Sequence, residues 1–164
     1  MTLMAILSTG TANIFDLRSG TVLVIGYGNP GRMDDGLGPA LSARLEACAL
    51  KGVSVETDYQ LVVEHAHEIA QHDHVVFADA AIKGEAPFSF TEITVPDHQP
   101  PFNSHSLSPE AGMFFARTMF GATTKGYMLG IRGYEFDGFD ERLSERAKEN
   151  LEAAFSFIVK LLGR

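Results

Sequence analysis

Apolar and polar positions divide the chain into short strands that alternate with helices. Residues 21–25 and 74–78 are continuous apolar runs rich in β-branched side chains, and each run stops at a glycine or an aspartate. Such runs are typical of strands buried on both faces of a parallel sheet. Residues 53–56 and 127–131 predict two more strands, and the alternating pattern over 88–95 predicts a half-exposed strand near a sheet edge.

Helical periodicity fills the segments between these strands. One helix begins near Pro39 and places Cys48 on its apolar face, so we expect Cys48 in the core. Residues 63–71 predict a short helix, and Ser108 is the expected N-cap of a helix that runs to about residue 120. A last helix begins near Ser144, and four- and three-residue steps predict these buried positions: Ala147, Leu151, Ala154, Ile158 and Leu161.

The alternation of strands and helices sets the predicted fold class. It indicates α/β, with a mostly parallel twisted sheet covered by helices on both faces in a single three-layer α/β/α domain. This domain is expected to span residues 21–164, and 164 residues are enough for one sizeable core. Residues 1–20 lack the pattern and are predicted to form a loosely ordered N-terminal extension.

Charge and cysteine content narrow the functional classes. The formal net charge of −8 argues against a nucleic-acid partner, whose backbone is itself polyanionic. No apolar run approaches the roughly 20 residues of a membrane helix, and no signal peptide is evident, so no membrane partner is expected. The single cysteine excludes an intrachain disulfide and fits a reducing compartment. We therefore expect a cytoplasmic protein.

Three polar side chains are predicted to meet where the parallel strands end. In open α/β sheets, ligands gather outside the carboxyl ends of the strands. Asp35 lies in the loop after the first strand, Asp79 follows the strand 74–78, and His105 precedes a capped helix. Two carboxylates and an imidazole suit a divalent transition metal. Each residue also has a structural reading, as a helix cap, a turn former or a solvated loop histidine.

The loop after the first strand also matches the dinucleotide-binding pattern G-x-G-x-x-G at residues 26–31. That kind of site needs free backbone N–H groups to receive a pyrophosphate. Pro30 removes one donor, and Asp34 and Asp35 bring negative charge to the same place. A cation is therefore the favoured ligand, and a dinucleotide-binding protein stays as an alternative.

Residues 64–74 form a histidine-rich stretch that does not fit a known metalloprotease motif. The zincin pattern needs a second histidine four residues after the first, and Gln71 stands at that place after His67. We expect these imidazoles to lie on the surface of a short helix and its exit turn.

Three separated motifs resemble those of the nickel–iron hydrogenase maturation proteases. Residues 26–38 are similar to that family's opening motif, a glycine–x–glycine–asparagine loop followed by an acidic pair and two glycines. The likeness continues at Phe-Ala-Asp-Ala (77–80) and at Ser-His-Ser-Leu-Ser-Pro (104–109), and less specifically at 130–131 and 143–144. The resemblance therefore covers nearly all of the chain after residue 20.

The resemblance implies an endopeptidase that removes a short C-terminal tail from a [NiFe]-hydrogenase large-subunit precursor after nickel insertion. The residues matched to nickel contact and catalysis are Asp35, Asp79 and His105, and the nickel is implied to arrive with the substrate. Asp34 is matched as a neighbour of the ligands. The candidates for substrate recognition are Gly28, Asn29, Asp34 and Asp58.

The chain departs from that family's pattern after the second strand. Family members commonly carry an Asp-Gly-Gly-Thr turn, whereas Asp58 is followed here by Tyr59 and Gln60, which suggests a particular partner or subgroup. Residues 28–31 also resemble the start of the peptidyl-tRNA hydrolases, although the next residues differ. An esterase of that kind and a non-catalytic hydrogenase assembly chaperone are the further alternatives.

Overall fold

The computed structural model describes residues 15–103 and 105–164. A five-stranded sheet with the order β2-β1-β3-β5-β4 forms its centre. The first four strands in this order are parallel, and β4 runs antiparallel to β5 at the edge. This confirms the mostly parallel sheet and the edge position of the alternating segment. The strands are β1 (Val22–Tyr27), β2 (Val53–Asp58), β3 (His74–Ala81), β4 (Phe88–Glu92) and β5 (Lys125–Arg132).

Helices cover both faces of the sheet and complete the three layers. They are α1 (Leu37–Cys48), α2 (His65–Ala70), α3 (Pro109–Phe120) and α4 (Glu145–Leu162), with a 3₁₀ turn at Met33–Gly36. Side chains of α1 and α4 share one apolar cluster with alternate residues of the sheet, and those of α2 and α3 share the other. Within the described ranges, no helix is long and apolar enough to cross a membrane.

One of two predictions for α1 needs correction. The helix begins at Leu37, so Pro39 lies in its first turn as predicted, where the N–H groups are unbonded and a proline is tolerated. Cys48 is exposed, so its predicted place in the core is wrong. It is the last residue of α1, beside the left-handed C-cap Ala49.

The last helix follows its predicted pattern closely. The hydroxyl of Ser144 caps α4 by accepting the amide of Ala147 at 3.3 Å. The core positions continue to Leu162, which is buried, whereas Leu161 is only partly buried. A regular helix of 3.6 residues per turn drifts away from a strict seven-residue repeat, which shifts the last buried position by one.

Residues 15–20, assigned from the sequence to a loose extension, pack against the domain. Phe15 meets the rings of Phe90 and Tyr127 edge-on, with centroids 5.0 and 5.7 Å apart, and Leu17 is fully buried. The guanidinium of Arg164 donates to the carbonyls of residues 17, 18 and 20. Residues 1–14 of the predicted extension lie outside the described residues.

The histidine-rich stretch is only partly a surface feature. His67 and His72 keep some exposure, but His65 and His74 are buried. The His74 ring contacts the Ser19 carbonyl through Nε2 at 3.1 Å. Since β3 begins at His74, this imidazole lies against the domain rather than in an exit turn.

Candidate active site

Asp35 and Asp79 both belong to the carboxyl end of the sheet, in the loop after β1 and near the end of β3. Helix α1 starts against these strand ends, and a Cβ on Gly38 would collide with the carbonyl oxygens of Tyr27 and Ala78. Only glycine permits this approach. The loop after β1, residues 28–36, is thereby held at the carboxyl end of the sheet. From there the negative charge of Asp35 raises the pKa of Asp79.

The N–H groups of this loop are all used within the protein. Asn29 donates to the Asp35 carboxylate at 2.8 Å, and Gly28 donates to the carbonyl of Asp58 at 3.1 Å. The amides of residues 31 to 35 likewise reach acceptors in the chain. A pyrophosphate would find no free backbone donor in this loop, so the geometry argues against the dinucleotide-binding alternative.

Asp79 lies inside β3, whereas the sequence placed it after the strand. Its backbone is paired in register with Gly130 of β5, which fixes the position of its side chain. Burial raises the pKa of Asp79 to about 6, and the negative charge of Asp35 adds to the effect. Hydrogen bonds from the Ala80 amide, at 2.7 Å, and from the Tyr27 hydroxyl act in the opposite direction. Asp79 can therefore exchange a proton near neutral pH.

Tyr27 is a site residue that sequence reasoning missed. It occupies the variable position of the glycine–x–glycine motif, at the end of β1 and next to β3. Burial raises the pKa of the Tyr27 hydroxyl, and the charges of Asp79 and Glu110 raise it further, so the hydroxyl stays a proton donor. In-register parallel strands place neighbouring side chains on one face. Because Tyr27 and Asp79 follow paired positions of β1 and β3, this rule is the one signal that could have predicted their contact.

His105 lies on an exposed turn and does not join the two aspartates in this structure. The side chain of Asn103 holds the turn by accepting the amides of His105 and Ser106 at 2.9 and 2.7 Å. Leu107 anchors the segment in the α2–α3 cluster, which also contains Phe77 of β3. Asp79 is two residues after Phe77, so its side chain points to the same face of the sheet. Throughout residues 15–103 and 105–164, no three His, Cys, Asp or Glu side chains form a set able to hold a metal ion.

Asp34 is fully buried and holds a second loop, residues 133–144, between β5 and α4. Its carboxylate accepts the amides of Tyr134, Glu135 and Ser144 and the hydroxyl of Ser144, at 2.7 to 2.9 Å. Burial tends to raise the pKa of Asp34, but these hydrogen bonds outweigh it and lower the pKa below its ordinary value. A buried carboxylate cannot touch a substrate directly, so Asp34 acts on the site through the loops it joins.

A cleft of about 260 Å³ opens beside the loop that carries Asp35. Its lining consists of Gly28, Pro30, Pro39, Thr57, Asp58 and Tyr59. Two of the predicted recognition residues, Gly28 and Asp58, thus share one concave surface. Asn29 is half-buried next to it and is engaged with Asp35.

The buried imidazole of His65 supports the acidic wall of this cleft. Its Nδ1 accepts the amide of Val62 at 3.0 Å, so in the neutral ring the proton is on Nε2. That nitrogen lies 3.6 Å from the Asp58 carboxylate and 3.8 Å from that of Glu56. Sequence reasoning compared the histidine-rich stretch only with the zincin pattern, which says nothing about this contact of His65 with Asp58 and Glu56.

Comparison with known proteins identifies the fold. No family model and no curated protein matches the chain. Among solved structures, it is similar to the [NiFe] hydrogenase maturation protease HycI from Thermococcus kodakarensis, with a TM-score of 0.68, 20% identity and complete coverage of both chains. It is also similar to the hydrogenase maturating endopeptidase HybD from E. coli, with a TM-score of 0.67, 21% identity and coverage of 87% of this chain and 92% of the other.

A third similar structure is the hydrogenase 2 maturation peptidase from Thaumarchaeota archaeon SCGC_AB-539-E09. Its TM-score is 0.63 at 20% identity, with coverage of 87% of this chain and 98% of the other. Identities at this level establish the fold alone. They confirm the three-layer fold implied by the motif resemblance. The chain has the fold of the hydrogenase maturation endopeptidases.

Proposed function

We propose that this protein is an endopeptidase that removes the C-terminal tail of a nickel-loaded [NiFe]-hydrogenase large-subunit precursor. The observation that carries the proposal is the pairing of Asp35 and Asp79 at the carboxyl ends of β1 and β3, in a fold shared with named hydrogenase maturation endopeptidases. The three motifs that resemble that family's contain both aspartates and His105.

Nickel enters this proposal as part of the substrate. The precursor's own cysteines hold the ion, and Asp35, Asp79 and His105 add oxygen and nitrogen contacts when the precursor binds. In support, the charge of Asp35 acts on Asp79 in the free protein, and the exposed turn of His105 adjoins the cluster on the face toward which Asp79 points. The ion then completes a set of ligands that the free protein does not assemble within its described residues.

Peptide hydrolysis needs a polarised carbonyl and a group that accepts the proton of the attacking water. The substrate's nickel supplies the polarisation as a Lewis acid. Asp79 is suited to accept the proton, because a general base works best with a pKa near the operating pH and burial places its pKa at about 6. That pKa belongs to the free protein; contact with the ion lowers it, and the carboxylate then accepts the proton through a lone pair that does not face the ion.

The cleft between β2 and the β1 loop is the proposed holding place for the tail. It adjoins the loop that carries Asp35, because Gly28 packs directly against the Asp35 carbonyl. The carboxylate of Asp58 and the exposed ring of Tyr59 offer contacts to a cationic side chain with an apolar stem. Tyr59, one of the two residues that depart from the family's usual turn, thus lines the cleft.

The test is cleavage of the purified precursor, with and without nickel, followed by mass spectrometry of the tail. We expect tail release only from the nickel-loaded precursor, and at least about a hundredfold slower release by Asp35→Asn and His105→Ala. Asp97→Asn, in an exposed position between β4 and α3, serves as the matched control. Cleavage that ignores nickel, or survives in both variants, contradicts the nickel contact. Binding of the precursor without tail release identifies an assembly chaperone instead.

A further inference from the structure

The three most exposed large apolar side chains in the described residues all lie at the carboxyl end of the sheet, where the candidate site also lies. They are Phe139, Tyr59 and Ile82, exposed by 95%, 69% and 66%. Each follows the carboxyl end of a parallel strand, β5, β2 or β3. Large apolar side chains gathered on one part of a surface mark an interaction site. We call these three residues the apolar rim.

The loop that carries Phe139 is fastened to the loop of Asp35. Asp34 bonds both ends of the segment 133–144, as described above. Near its tip, the Met33 amide donates to the Asp140 carbonyl at 2.8 Å, and Arg32 forms a backbone bridge with Asp140. Phe139 is therefore presented beside the candidate site by a loop with many fixed contacts.

The same loop contains a second phenylalanine that packs inward. Phe136 is half-buried, and its ring lies so close to Gly133 that a Cβ there would be 2.7 Å away. The loop thus satisfies its own packing with Phe136, and Phe139 contributes nothing to the fold. Because exposing an aromatic ring to water is unfavourable, a partner that covers Phe139 would bury most of the apolar area of its ring.

The surroundings of Phe139 indicate the charge of that partner. The exposed acids Asp137, Asp140 and Glu141 lie around it and outnumber the exposed cations Arg32 and Arg142, and the whole chain carries a formal net charge of −8. Complementary charge steers association and suppresses wrong partners. A surface with lysine or arginine around an apolar pocket fits this arrangement.

We propose that Phe139 is the anchor of a docking surface for the folded body of a protein partner, which offers an apolar pocket bordered by lysine or arginine. This rests on the proposed function in one respect, that the partner is the hydrogenase large-subunit precursor whose tail enters the neighbouring site. Aromatic anchors at the centre of an interface carry a large share of its affinity. The anchor holds the body of the precursor, while the aspartates and the cleft act on its nickel and tail.

The test measures binding separately from cleavage. Phe139→Ala is compared with Phe120→Ala, which removes the same ring from an exposed place at the far end of α3. The dissociation constant for the nickel-loaded precursor is measured by calorimetry, at low and high salt. We expect at least about a tenfold weaker complex for Phe139→Ala, an unchanged one for Phe120→Ala, and weaker wild-type binding at high salt. Unchanged melting temperatures show that both variants fold.

The outcomes separate this inference from the proposed function. Equal affinities for wild type, Phe139→Ala and Phe120→Ala overturn the docking surface, even if the tail is released. Slower cleavage by Phe139→Ala at unchanged affinity also overturns it. A dimer of the free protein that Phe139→Ala dissociates shows that a second copy covers the residue, which overturns the proposed partner. Binding that depends on Phe139 without any tail release supports the docking surface and refutes the endopeptidase.

Discussion

The backbone amide and the hydroxyl of Ser144 both donate to the carboxylate of Asp34, each at 2.7 Å. The same hydroxyl accepts the Ala147 amide and so caps α4. One buried carboxylate therefore links the β1 loop to the start of the last helix, across 110 residues of sequence. The two neighbouring aspartates therefore have different roles: Asp34 holds the two loops together, and Asp35 belongs to the candidate site.

Asp34→Asn should unfold more easily than the wild type. The amide cannot accept as many hydrogen bonds as the carboxylate, and its NH₂ group faces N–H donors that are then left unpaired. We expect a loss of about 2–4 kcal/mol in the free energy of unfolding, measured by urea denaturation at neutral pH. Asp137→Asn in the same loop, at an exposed position, should change stability little. Equal stability of the two variants would show that the Asp34 network contributes nothing net.

Acidification gives a second check on Asp34. Its pKa is lowered in the folded protein, so the stability it contributes is complete above the ordinary value near 3.8 and is lost as the pH falls through the lower folded value. The difference in stability between wild type and Asp34→Asn should therefore shrink only in strong acid. A difference that disappears already at pH 5 contradicts this assignment.

Cleavage should fall as the pH drops through about 6. Below that value Asp79 is protonated, because burial and then the charge of Asp35 hold its pKa above the ordinary 3.8. A neutral carboxyl neither contacts a cation nor accepts a proton. Tyr27→Phe removes a hydrogen bond that lowers this pKa, so its acid limb should move to higher pH. The measurement is the pH profile of kcat/KM for both proteins, and coincident acid limbs would contradict the role of Tyr27.

Asp79→Asn should be inactive but more stable at neutral pH. A raised carboxyl pKa means that the folded state disfavours the charged form, so the contribution of Asp79 to stability declines as the pH rises from about 4 through 6. Removing the charge should recover about 1–3 kcal/mol at pH 8 and little at pH 4, measured by urea unfolding at both pH values. A variant that is less stable at pH 8 would show that the charge is compensated.

Gly28→Ala should disturb the site more than the backbone strain alone explains. Gly28 has φ +141° and its Cα packs on the Asp35 carbonyl, so an added methyl pushes that residue away. Gly84 also has a positive φ, +105°, but nothing lies within 4 Å of its Cβ position, which makes Gly84→Ala the matched control. We expect about 1–2 kcal/mol of destabilisation from Gly84→Ala, and more, with loss of cleavage, from Gly28→Ala. Urea unfolding and the tail-release assay measure the two effects, and equal effects would refute the close packing.

The elements of the fold could be predicted from the sequence wherever the periodicity is long. The predictions of β1 and α4 each depend on many apolar residues that all indicate the same element. The exposure of Cys48 could not be predicted, because a helical pattern does not show which side chains of the last turn find a tertiary contact. The burial of His65 and His74 was missed for a related reason, since nearby residues in sequence say little about tertiary contacts.

The location of the candidate site stays a prediction. Strand ends and loop chemistry pointed to Asp35 and Asp79, and in the structure the negative charge of Asp35 raises the pKa of Asp79. The partners that Asp34 bonds lie about a hundred residues further along the chain, so no local pattern reveals them. The place of Asp79 within β3 depends on pairing with β5, which is also a long-range property.

The amides of the β1 loop have a consequence for what this surface can select. With each of these N–H groups engaged inside the protein, the backbone of the loop offers a ligand no donor, and the carboxylates of Asp35, Asp58 and Asp79 add acceptors beside it. A phosphate or a free carboxylate therefore depends on side chains such as the exposed guanidinium of Arg32 for its hydrogen bonds. Metal ions, ammonium groups and the N–H groups of an extended peptide find acceptors instead. The hydrogen bonding of one short loop thus determines which ligand groups its backbone can bind.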